Sequence, residues 1–182
     1  MEVLGLSLPL VKPEDDLPEM ILAGAEHVDG LRDGDVVVVS SKVVAVSQGR
    51  VVDLSKFRPS ARAKKISKES GQAPEFVELV LREADKVLGV NRGVILTIKD
   101  GFVCANAGAD ISNAPAGHAV LMPTEPDRSA EGLRRALAEK SGAKIGVIVA
   151  DSNVKPLRLG TVGQAIGVAG IEPVADCRGK PD

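Results

Sequence analysis

Two runs of strand-forming residues most constrain how this chain folds: Asp35–Ser40 (DVVVVS) and Lys144–Ala150 (KIGVIVA). Continuous aliphatic runs of this length suit strands covered on both faces. Between them the texture differs. From Pro59 the chain becomes basic and helical, then carries a hairpin signal, then a further helix. The chain must therefore leave one sheet, build another unit and return. Strands and helices mix throughout, which predicts an α/β fold of mixed α+β character. The expected architecture is two-lobed, a mixed sheet flanked by helices. Residues 1–56 and 144–182 form a discontinuous main lobe, and residues 57–143 form an inserted helix-and-hairpin lobe.

Local signals fill in this frame. Met1–Leu10 alternates apolar residues as a strand would. Asp15 and Asp16 are candidate N-caps, Pro18 suits a first helical turn, and Ile21, Leu22, Ala25 and Val28 share one helical face. Ser41–Gln48 is ambiguous, with Gly49 placed to close a short helix, and Arg50–Leu54 reads as a strand. Ser60–Ser70 is a basic helix stopped by Gly71, and a second helix runs from about Pro74 to Asp85. The clearest signal is VILTIKDGFVCA. Two apolar runs flank Asp100-Gly101, so Val94–Lys99 and Phe102–Ala105 form a hairpin through a primed turn. Ala119–Met122 is a strand, and Ser129 caps a helix that ends at Gly142. Asp151-Ser152-Asn153 reads as a turn at the carboxyl end of the second buried run. The Gly-rich stretch 160–170 reads as containing a short helix, and Glu172–Ala175 as a last strand.

Composition excludes several functions. Lys+Arg is 23 against 25 Asp+Glu, and a net charge of −2 leaves no electrostatic footprint for a nucleic acid. Phe57, Phe76 and Phe102 are the only aromatics, too few for a base-stacking platform. No apolar run approaches the ~18 residues of a membrane helix, and no secretion signal is visible at the N-terminus. Cys104 and Cys177 form no CxxC, which fits a reducing cytoplasm and argues against structural zinc. His27 and His118 are isolated and read as surface or capping residues. Cys104, on a hairpin strand, reads as a small buried hydrophobe rather than a nucleophile.

The residues that could carry chemistry lie in two acidic loops, Asp110 in NAGADISN and Asp151 in ADSN. Each follows an apolar strand and is flanked by Ser and Asn. Carboxylates at the ends of buried strands are well placed to hold a hard cation such as Mg²⁺ or Mn²⁺; as turn or cap residues they would need no ligand at all. Lys155, Arg158 and Gly160 follow Asp151 and offer a phosphate cradle. There is no GxxxxGK[ST], and GTVGQAIG does not match the dinucleotide fingerprint.

Several segments, in order, resemble the coenzyme F420:glutamate ligases (F420-0:γ-glutamyl ligases). They are LPLV at Leu8–Val11, the Val-rich strand into SSKVV and GRVV, RPSARAK, APEFVELVLREAD, VCANAGADISN, EPDRSAEGLRR, KIGVIVADSN, RLGTVGQAIGVAG and RGKPD. The resemblance implies a two-lobed enzyme that uses GTP as co-substrate and Mg²⁺ or Mn²⁺, with a monovalent cation such as K⁺ as a further candidate. It implies joining L-glutamate to the carboxylate of coenzyme F420-0, then a γ-linked glutamate, through an acyl phosphate. By position, Asp110, Asp151 and Ser152 match metal ligands. Leu8, Pro9, Leu10, Val11, Ser41, Lys42 and Asn113 match nucleotide contacts, and Lys155 and Arg158 fall in the basic stretch expected at phosphate. A homodimer is implied, with the site in a groove at its interface. Two departures stand out. Val46 occupies a position where the family usually has Lys, and Gln48 a usually acidic one. The family also continues beyond RGKPD into a further acidic ligand and a Gly-rich nucleotide segment, so a truncated chain or a shortened relative is expected. The alternatives are a related nucleotide-dependent acid–amino-acid ligase with another acceptor, or a non-catalytic nucleotide-binding relative.

Overall fold

Asp16 caps the first helix, as its place before Leu17 and Pro18 dictates: its carboxylate accepts from the Glu19 N–H at 3.0 Å. In the computed structural model, which describes residues 1–154 and 157–181, the elements follow in order. They are α1 (Leu17–Glu26), β1 (Val36–Ser40), α2 (Ser41–Ser47), β2 (Val51–Asp53), α3 (Ala61–Ser70), α4 (Pro74–Glu83), β3 (Lys86–Asn91), β4 (Val94–Lys99), β5 (Phe102–Ala105), β6 (His118–Val120), α5 (Pro126–Ser141), β7 (Gly146–Val154) and β8 (Thr161–Ala169). The mixed α/β class follows from this order, with parallel and antiparallel pairs in the same molecule.

The two aliphatic runs pair with each other. β1 lies parallel to β7, Val36 opposite Gly146 through Ser40 opposite Ala150, and β8 adds antiparallel to the other edge of β7. A parallel pair needs a crossover connection, and here everything from α2 to α5 supplies it. Val37, Val39, Val147 and Val149 share one face and pack with Leu17 and Ile21 of α1 and Leu133 and Leu137 of α5. The expectation that β1 is covered on both faces is corrected: Val36 and Val38 are 44% and 62% exposed. The run is uniformly β-branched, but β1 is an edge strand with helices over one face only.

A second core gathers Ala63 and Ile66 of α3, Phe76, Val77, Leu79 and Val80 of α4, Ile95 of β4, and Ala119 and Leu121 in and after β6. The sheet β3-β4-β5 and the pair β2-β6 belong here. α5, read from sequence as part of the inserted segment, instead buries Leu133 and Leu137 on the main sheet. Each such leucine stabilises by roughly 1.5–3 kcal/mol, which fixes the helix there. The chain passes between the cores near Arg50 and Met122. Arg50 Nε donates to the Met122 carbonyl at 3.2 Å, and its guanidinium pairs with Glu83 at 3.2 Å.

Five further expectations are corrected. Ser129 does not cap α5, which starts at Pro126, and its hydroxyl instead donates to the Thr124 and Glu125 carbonyls from inside the helix. Met1–Leu10 forms no strand; Leu6 and Leu8 pack on the main core instead. Asp151, Ser152 and Asn153 are not a turn, because β7 continues through Val154 against β8. The Gly-rich stretch is not helical but is strand β8. Its glycine at 167 lies against the start of α5, where a Cβ would fall 2.3 Å from the Pro126 carbonyl carbon. Glu172–Ala175 forms no strand. Sequence reasoning also missed β3, whose register shifts between Val87 and Gly89 at a bulge. The primed turn is present: Asp100 and Gly101 have φ of 50° and 79°. No helix among the described residues is long and apolar enough to cross a membrane.

Candidate functional site

A cleft of about 860 Å³ takes its walls from both cores, a volume within the ~300–1,000 Å³ of small-molecule sites. The N-terminal segment contributes Leu6, Leu8, Pro9, Leu10 and Val11, α2 contributes Lys42, Val43 and Val46, β7 contributes Asp151 to Val154, and the segment 104–113 forms the opposite wall.

That opposite wall is held by a polar chain. After β5 the backbone enters left-handed conformations at Asn106, Ala107 and Gly108. The turn stays in place because Asn106 Oδ1 accepts from the Ile95 N–H at 2.9 Å and Thr97 Oγ1 accepts from the Ala107 N–H at 2.9 Å. Thr97 is fully buried and donates in turn to the Cys104 carbonyl at 2.8 Å. Asp110 then exchanges two backbone hydrogen bonds with Val120, at 2.9 and 2.8 Å, which fixes its position on the wall. Its carboxylate accepts from Ser112 N–H (2.8 Å), Ser112 Oγ (2.7 Å) and Asn113 Nδ2 (2.8 Å). Burial works against the charged form. The hydrogen bonds from Ser112 and Asn113, with the positive charge of Lys42, outweigh it and hold the carboxyl below its ordinary range.

Asp151 faces the cleft from β7. The buried Ser41 hydroxyl donates a hydrogen bond to its Oδ1, and Lys42 Nζ lies 3.2 Å from the same oxygen. Both charged side chains are largely enclosed, Lys42 at 17% and Asp151 at 13% exposure. Among the described residues the ammonium also meets the Met122 sulfur at 3.6 Å, a weak acceptor. Burial pushes the Cys104 thiol up, as expected of a structural cysteine in the cleft wall.

The donors suit a hard divalent cation. Asp110, Asp151 and Ser152 offer oxygen alone, and a cation, the Lys42 ammonium, already sits on Asp151. Among the described residues no three His, Cys, Asp or Glu converge. Asp110 and Asp151 would supply two carboxylates, leaving places for water and phosphate, which is how Mg²⁺ is usually held.

Of the residues singled out from sequence, Leu8, Pro9, Leu10, Val11, Lys42, Asp110, Asn113, Asp151 and Ser152 line this one cleft. Ser41 lies behind it on Asp151. Arg158 is exposed and is not among the lining residues, and Lys155 lies outside the described residues. Val46 lines the cleft, whereas Gln48 turns away and bonds Ser129 Oγ (2.8 Å) and the Thr124 N–H (3.0 Å). Reasoning from sequence missed Thr97 and Asn153. Asn153 is buried and donates to the Val103 carbonyl of β5 at 3.1 Å, tying β7 to the second core. Its place in an Asp-Ser-Asn triplet suggested a turn and hid this role. His27 follows α1 at its C-cap and His118 opens β6, neither in the cleft.

Fold and cleft define a two-core α/β protein with a carboxylate–lysine cleft suited to a charged small molecule. The chain matches the F420-0:Gamma-glutamyl ligase family over residues 5–182 and belongs to that family. It is 43% identical over 173 residues to the coenzyme F420:L-glutamate ligase of Methanopyrus kandleri, covering 94% of this chain and 67% of that protein. It is likewise 43% identical over 175 residues to that of Archaeoglobus fulgidus (96% and 69%), and 38% identical over 187 residues to that of Methanothermobacter thermautotrophicus (98% and 74%).

Proposed function

We propose that this chain is the ligase its relatives are named for, adding L-glutamate to the carboxylate of coenzyme F420-0 with GTP as co-substrate. The observation that carries the reading is the convergence of Asp110, Asp151 and Lys42 on one cleft, within a chain similar over nearly its whole length to coenzyme F420:L-glutamate ligases. In this reading an acceptor carboxylate oxygen attacks the γ-phosphorus and GDP leaves. The glutamate amine then attacks the acyl carbon, phosphate departs, an amide forms and the amine loses a proton. A further glutamate is joined by a γ-linkage. Leu8 to Val11 and Asn113 contact the nucleotide, and Lys42 supplies positive charge to its phosphates. Asp110, Asp151 and Ser152 hold Mg²⁺ or Mn²⁺, with K⁺ as a second ion; when bound, the divalent ion neutralises charge on the phosphates. A cytoplasmic homodimer completes the proposal. An exposed β1 edge and face are features that pairing would cover.

The test is direct. Protein incubated with GTP, Mn²⁺, L-glutamate and coenzyme F420-0 should yield an acceptor heavier by one glutamyl unit, with GDP released in equal amount. GDP release without a heavier acceptor would point to another acceptor, and neither product would refute the ligase reading.

A further inference from the structure

Lys42 is an enclosed cation with one strong acceptor among the described residues. Its ammonium has three donors; one meets Asp151 Oδ1 at 3.2 Å, and the Met122 sulfur at 3.6 Å satisfies a second only weakly. Asp151, by contrast, does not depend on Lys42 for its orientation. The fully buried Ser41 hydroxyl holds the same oxygen, and no described residue donates to the other one, Oδ2. Removing the ammonium would leave the carboxylate aimed as before, with its charge unneutralised. Asp110 on the facing wall also feels the charge of Lys42.

We propose that Lys42 is a resident counter-ion of Asp151, which a divalent cation displaces from that carboxylate and which then moves its donors to the phosphate chain. Cation and polyphosphate binding are thereby coupled. The phosphate draws Lys42 away and uncovers the carboxylate, and the cation's arrival frees the ammonium for phosphate. Ser41 keeps Asp151 in place during the exchange. Lysine suits this role better than arginine because its charge is compact and its four-carbon stem flexible. The proposal rests on the cation-and-nucleotide reading above.

The test uses the full chain stripped with chelator and titrated with Mn²⁺ alone, free Mn²⁺ being read by electron paramagnetic resonance. Without its competitor, K42M should bind Mn²⁺ about tenfold more tightly than the unchanged protein, equivalent to ~1.4 kcal/mol. K42R, which keeps the charge, should bind within about twofold of the unchanged protein. K86M, which removes an exposed charge on β3, should leave binding unchanged. K42Q gives the same reading should K42M not fold. Equal or weaker Mn²⁺ binding by the neutral variants overturns the proposal while leaving the metal site standing. An equal gain in K86M overturns it as a diffuse field effect. No Mn²⁺ binding by any form overturns both the proposal and the metal site.

Discussion

Gly167→Ala tests whether the glycines of β8 serve packing rather than phosphate binding. A Cβ at 167 would lie 2.3 Å from both the carbonyl carbon and oxygen of Pro126 and 2.9 Å from the Asp127 nitrogen. These are backbone atoms at the start of α5, so no side chain can swing aside. Restoring ordinary contact requires a retreat of about 1.1 Å. That movement would also break the hydrogen bond from the Val168 N–H to Asp127 Oδ1, now 2.9 Å. Overpacking costs ~1–3 kcal/mol and a hydrogen bond to a charged group ~1.5–3 kcal/mol, so a loss of about 2.5–6 kcal/mol is expected. For a chain of this size that lowers Tm by roughly 5–24 °C. Gly163→Ala is the internal control: it lies on the same strand, its φ is not positive, and nothing lies within 4 Å of its added Cβ. It should change stability by under about 1 kcal/mol. Urea unfolding of both variants decides the matter. Equal midpoints for G167A and G163A would refute the packing argument.

Gly24→Ala should separate stability from binding. Its Cβ would meet Leu8 Cδ2 at 2.7 Å, the mobile end of a side chain that lines the cleft. Helix propensity favours alanine by ~1 kcal/mol, so unfolding stability should hold or rise while the Kd for GTP, measured by calorimetry, increases. Glu78 should shape the acid limb of stability. The Ser60 N–H donates to it at 3.0 Å and Arg82 Nε at 3.0 Å, holding its carboxyl at about 2 against an ordinary 4.5. Its contribution is therefore complete above pH 4.5 and falls away as pH drops toward 2. E78Q should flatten the stability-against-pH curve over that window in denaturant melts; an unchanged slope would contradict it. Leu137→Ala empties a fully buried position of the main core and should cost ~2–5 kcal/mol in the same assay.

Local chemistry was legible in the sequence wherever a few neighbouring residues decide the outcome. Asp16 before Pro18 sets the start of α1, Ser60 and Gly71 bracket α3, and Asp100-Gly101 closes the β4–β5 hairpin, because capping and turn geometry are settled within one or two turns of chain. Both β1 and β7 were legible as strands from their aliphatic runs. What sequence could not decide is which neighbour a segment finds. Four valines in a row cannot say that β1 sits at an edge with one face open. A glycine-rich stretch cannot say that it is a strand pressed against α5 rather than a short helix, since the close approach of Gly167 is to atoms of Pro126, distant in sequence. Asp110 and Asp151 were each visible as acidic residues with small polar neighbours. Only folding sets them on opposite walls of one cleft, with Lys42 against Asp151, because charges in a partly enclosed space must be neutralised by whatever the tertiary arrangement brings within a few ångströms.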